Sequence, residues 1–229
     1  MAKVEKEYDL QAALELAVVA QRVNGAYLKD SEAISNPDGT AIVEWKHKNK
    51  DLIQYALGVY KWQGSPALPD MTVTDEDRRL VADIRQYFKK LAFRVMAEPD
   101  NKFQQDLLVL LNKPTVSSKQ FGVVACLPST YLRDKKQTEL KKAFRDEVLG
   151  SIGSSIADLD GEILGIKYSE QYSCWNVTAQ IDNCIASWMS SKQLEVGPCV
   201  LIKAKVKGHG VHWLYKKAES RLNYVKVAQ

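Results

Sequence analysis

Apolar residues recur at helical spacing through the first 150 positions of this chain and at every second position thereafter. Leu10, Ala13, Leu14, Ala17 and Val18 share one face of a helix that Asp9 caps and Asn24-Gly25 stops. Residues 51–61 read as a second helix. Thr74, followed by Asp75, Glu76 and Asp77, opens a third, because the hydroxyl caps free amides and the acids suit the positive helix end. Its Leu80, Val81, Ile84, Phe88, Leu91 and Val95 fall three and four apart. Further helices are expected over 102–111, over 119–127, and over 133–147, where Leu140 and Phe144 form the inward stripe of a charged surface helix. Turn formers punctuate at 30–40, 64–69, 99–100 and 113–114, and 41–45 reads as a short strand or the lead into a helix.

The character changes at Gly150-Ser151-Ile152-Gly153. Residues 162–168, 174–181, 184–189 and 200–207 alternate as strands, and a fifth arm, 211–215 with 222–227, returns after Gly208 and Gly210. In the fourth strand Val200, Ile202, Ala204 and Val206 are expected to point one way and Leu201, Lys203, Lys205 and Lys207 the other. A domain boundary is placed near 150, with a helical domain over 1–149 and a β domain over 150–229. Five short antiparallel strands expose two edges unless they close, so the expected fold is α+β, a mostly helical N-terminal part followed by a small barrel. The strand count, the glycine at 165 interrupting the first strand, and a charged final hairpin suit an oligonucleotide-binding (OB) barrel; an SH3-like barrel or an open meander is the alternative.

Charge sharpens this picture. The net charge over 229 residues is only +4, yet residues 200–229 carry seven basic residues against Glu219, a local +6, so the preceding chain sums to −2. Localised positive charge points to a polyanionic partner at one site. The final hairpin reads as a cationic finger with His209, His212, Trp213 and Tyr215 near its tip. Single-stranded nucleic acid needs cations that follow its backbone and flat rings on which bases stack. Lys203, Lys205, Lys207, Lys216, Lys217 and Arg221 supply the cations, and Trp213, Tyr215 and Trp175 the rings. The basic run at 46–50 reads as a solvated turn beside a packed Trp45.

Other chemistries find little footing. His209 and His212 stand three apart near Cys174, Cys184 and Cys199, but there is no Cys-x-x-Cys pair and strand cysteines act as small hydrophobes, so neither metal nor cofactor is expected. Asp158-Leu159-Asp160-Gly161-Glu162 lacks the later ligands of a calcium loop and reads as a turn. No phosphate-cradling glycine loop, His-Glu-x-x-His helix or Gly-x-Ser-x-Gly elbow is present, leaving no catalytic residue to name; a nuclease built from scattered carboxylates is not read from motifs. Without a signal peptide or an apolar run of membrane-spanning length, and with four widely spaced cysteines, the chain is expected to be a reduced cytoplasmic protein that keeps off membranes.

The string Val-Gly-Pro-Cys-Val-Leu-Ile-Lys-Ala-Lys-Val-Lys-Gly-His, followed by Arg-Leu-Asn-Tyr-Val-Lys-Val, resembles the last two strands of single-stranded-DNA-binding replication proteins of tailed phages. The resemblance covers roughly the last 75 residues. It implies an OB-like barrel that protects exposed single strands, DNA above RNA, in the cytoplasm of a phage's host and beside replication or recombination proteins, with Lys203, Lys205 and Lys207 tracking the backbone. The chain departs from that family in its long helical part and in ending Tyr-Val-Lys-Val-Ala-Gln where many members carry an acidic tail. A competing expectation is a structural or protein-interaction module, a virion component or inhibitor, whose basic hairpin docks on an acidic partner.

Overall fold

The computed structural model describes residues 6–36, 38, 40–61, 68–97 and 102–229, the side chains of 43, 92–97 and 102–104 excepted. The breaks expected at 64–69 and 99–100 lie wholly or largely outside the described residues. The chain divides into two compact units, Met1–Asp134 and Lys135–Gln229.

In the first unit β1 (Glu7–Asp9) runs directly into α1 (Leu10–Asn24), and β1 pairs antiparallel with β4 (Thr115–Ser117). Asp9 accepts the Ala12 N–H at 2.7 Å, and Gly25 closes the helix at φ 71°, a left-handed position that costs glycine little. A hairpin of β2 (Glu32–Ser35) and β3 (Ile42–Lys46) leads to α2 (Asn49–Ala56). At the start of α3 (Asp75–Ala97) Thr74 Oγ1 accepts the Asp77 N–H, and the Asp77 carboxylate accepts the Thr74 N–H in return. Arg22 then donates from Nε and Nη2 to the two oxygens of the same carboxylate, at 3.1 and 3.0 Å. With α4 (Lys102–Leu111), these elements bury Leu10, Leu14, Ile53, Ile84, Phe88 and Phe121 in one core. The two helices expected over 119–127 and 133–147 are a single one, α5 (Phe121–Ala143), which continues through Pro128 and ends before Phe144.

The second unit is built on β5 (Ser155–Ile156), β6 (Leu159–Ser169), β7 (Cys174–Ile181), β8 (Cys184–Ser190), β9 (Gly197–Val211) and β10 (Ala218–Ala228). Five of these close into a ring in the order β6-β7-β8-β10-β9, with β5 pairing β9 through two residues. Four of the ring's ladders are antiparallel, and β8–β10 is parallel. The expectation of a wholly antiparallel barrel is corrected here. Two chain reversals separate β8 from β10, so as neighbours they run the same way. This five-strand ring is compatible with an OB-like fold. The architecture as a whole is α+β, five helices, most of them N-terminal, followed by a closed barrel.

The barrel interior holds Ile163, Val177, Ala179, Ile181, Trp188 and Leu201 among others. A bulge between Ile163 and Gly165 lets β6 curve from its β9 neighbour to its β7 neighbour. Asp182 and Asn183 both take positive φ, 45° and 59°, as a two-residue turn between β7 and β8 requires. The expected alternation of β9 holds only in part. Leu201, Ala204 and Val206 are buried, while Ile202 and Lys203 are both exposed. A register shift opposite Lys226 and Val227 inserts an extra residue into β9 and resets its phase.

Candidate nucleic-acid interface

The hairpin joining β9 to β10 is held in place by the segment that follows α5. Lys217 donates its ammonium to the Phe144 carbonyl. The Ala218 N–H donates to Asp146 Oδ1 at 2.7 Å, and the Leu149 N–H to Ser220 Oγ at 2.8 Å. Arg145 pairs with Asp182 at 2.7 Å in the β7–β8 turn. Strapped in this way, the hairpin folds its own tip inward. Tyr215 meets Phe144 edge to face, lies stacked 4.9 Å from His212, and joins Ile185 in a small core outside the barrel. The ring expected at an exposed tip is therefore buried, and no base reaches its face. His212 is buried as well; desolvation pushes its pKa down, with the Glu219 carboxylate acting in the opposite direction. Trp213 is different, 74 % exposed. Lys216 stands beside it in a left-handed turn position at φ 54°.

Lys203, Lys205 and Lys207 all face solvent on β9. Their register partners extend the polar surface sideways: Lys226 opposite Lys203, and both Asn223 and Ser155 opposite Lys205. Arg221 lies opposite Gly208 and is exposed, 4.0 Å from the Glu219 carboxylate. Directly opposed lysines repel each other across a ladder, and an anion between them relieves that repulsion. Carboxylates gather elsewhere on the barrel. Asp158, Asp160, Glu162 and Asp182 line a hollow of about 470 Å³ beside the β7–β8 turn. The surface is thus divided by sign, and a polyanion is favoured on one part and repelled from the other.

Comparison of the chain with family models, with curated proteins and with solved structures finds no match. The site is therefore described by its own geometry.

Trp175 lies half-buried opposite Tyr168, ring centroids 4.9 Å apart, at the end of the β6–β7 hairpin away from the Trp213 turn. It belongs to a separate aromatic pair. Lys203, Lys205, Lys207 and Arg221 share one strand pair, Lys216 and Trp213 share its turn, and the Lys217 ammonium is engaged by the strap. One residue escaped the sequence reading. Tyr224 is 80 % exposed in the middle of β10, at φ 53°, where a register shift leaves it without a partner on β9. A non-glycine residue in that region costs of order 1–3 kcal/mol, and an exposed aromatic there points to use of the ring outside the fold. The only sequence signal was its place among the apolar residues of a strand. Cys184 and Cys199 are buried and their thiols are pushed up by desolvation. Among the described residues, no group of three or more histidines, cysteines and carboxylates is arranged to hold a metal.

Proposed function

We propose that this protein binds single-stranded nucleic acid, DNA in particular, as an accessory factor in phage-type replication or recombination. The observation that carries the reading is the solvent-facing row Lys203, Lys205 and Lys207, continued by Lys226 across the ladder, on a barrel of OB-compatible strand order. The row follows the backbone of the strand, and Trp213 stacks on a base at the turn. The acidic hollow on another part of the barrel disfavours the strand from lying there.

The test is fluorescence anisotropy of a labelled thirty-base poly-dT titrated at low and moderate salt, beside the K203A/K205A/K207A variant. Each phosphate neutralised contributes a slope of about 0.7 in log affinity against log salt, so three lost contacts flatten the slope by about 2. A slope that the variant leaves unchanged removes the row from the interface, and no binding at low salt overturns the reading. A second reading has its own observation. Val200, Ile202 and Val211 expose apolar side chains along the same strand. That surface suits a protein partner, with the lysines meeting its acidic rim, and it is the reading favoured if poly-dT fails to bind.

A further inference from the structure

β8 and β10 pair only through Glu219–Ile185, Ser220–Ala186 and Arg221–Ser187, and then diverge. Beyond that point the barrel wall opens into a groove of about 570 Å³, inside the range of about 300–1,000 Å³ common for small-ligand clefts. The buried Trp188 lies at its floor. Met189, 58 % exposed, and Ile202 are apolar members of its lining, Tyr224 stands at its rim, and Lys226 and Lys192 line it too. Lys203 stands opposite Lys226 on the neighbouring strand.

The geometry points to a slot for an unstacked nucleobase: Tyr224 is the stacking platform, Met189 and Ile202 the apolar walls, and Lys226 with Lys203 the cations that hold the flanking phosphate. This inference rests on the single-strand reading above and adds where the strand leaves a base. Three features select the occupant. The lining is apolar and aromatic, as a base face requires; the charge at its edge is positive, as a phosphate requires; and the platform is held on a backbone conformation that costs the fold energy. A peptide side chain would satisfy the first feature but would leave opposed lysines without a counter-charge.

The experiment compares poly-dT with an abasic strand of equal length, for the unaltered protein and for Tyr224→Asn, since asparagine tolerates the left-handed conformation. Tyr224→Phe serves as the conservative control, and a thermal melt of each variant reports on the fold. The unaltered protein and Tyr224→Phe are expected to prefer poly-dT to the abasic strand by roughly 5- to 150-fold, the range for one stacked base. Tyr224→Asn is expected to lose most of that preference while keeping the same salt slope. In addition, poly-dT substituted with iodouracil is expected to photocrosslink at Tyr224. Equal binding of both strands, or a preference that survives Tyr224→Asn with crosslinks confined to Trp213, overturns the slot and leaves the single-strand reading standing. Absence of binding to either strand at low salt overturns both.

Discussion

The Phe144 and Tyr215 rings meet edge to face with centroids 4.8 Å apart, immediately after one helix ends and just before the last strand begins. Phe144 is 2 % exposed and its carbonyl also receives the Lys217 ammonium, so one residue anchors both the ring and the charge of the hairpin turn. Phe144→Ala removes the ring from this core and is expected to destabilise the C-terminal unit by about 3–5 kcal/mol. Urea unfolding followed by tryptophan fluorescence measures the loss. A change under 1 kcal/mol would show that the strap is dispensable.

Burial of His212 beside Tyr215 makes the barrel sensitive to acid. Its pKa is held below the ordinary value of about 6.5 by desolvation, and the opposing influence of Glu219 does not cancel this. The unfolded chain thus takes up a proton that the folded one refuses. The contribution is fully present above about pH 6.5 and is lost as pH falls from there through the folded pKa. His47 in the first unit is shifted the same way, again by burial, so both units weaken in that window. His212→Gln is expected to flatten the dependence of the barrel's stability between pH 7.5 and 5.5, read from urea midpoints at the two values.

Gly161 is needed for space. A Cβ there would sit 2.5 Å from the Gln180 carbonyl oxygen and 2.4 Å from Ile181 Cδ1, where β6 crosses between β7 and β9. The carbonyl is backbone and cannot swing aside. Gly161→Ala is expected to cost about 1–3 kcal/mol, whereas Gly165→Ala, which meets nothing within 4 Å, is expected to be far milder. Paired thermal melts of the two variants decide this.

Trp213 is so exposed that its removal leaves the core untouched. Trp213→Ala is expected to shift stability by less than about 0.5 kcal/mol and to weaken poly-dT binding by about 1–3 kcal/mol. A loss of stability without a loss of affinity would reverse its assignment.

Local signals were the legible ones. Asp9 and Gly25 announce the first long helix, Thr74 the third, and the glycine at 165 marks a bulge, because each acts through atoms a few residues away. The closed five-strand barrel was readable from strand count and charge. Pairings made across the chain were not. The parallel β8–β10 ladder follows from ring closure, a property no window of sequence contains. The phase change at Ile202 and Lys203 depends on a bulge that alternation alone does not announce. Tyr215 looks like Trp213 in sequence, two aromatics flanking Leu214 beside lysines, and what separates them is Phe144, some seventy residues earlier. Tyr224 was hidden for the converse reason, since an aromatic in a strand ordinarily packs inward.

The five ladders of the ring are unequal. β8 and β10 share three register pairs, against five to nine in each of the other four. A closed ring has no outermost strand from which fraying begins, so its breathing is concentrated at the thinnest seam. That seam borders the cleft beneath Tyr224. The amide protons of Glu219, Ser220 and Arg221 are thus the ones to exchange soonest within the barrel, and whatever fills the cleft acts as a stitch that slows them.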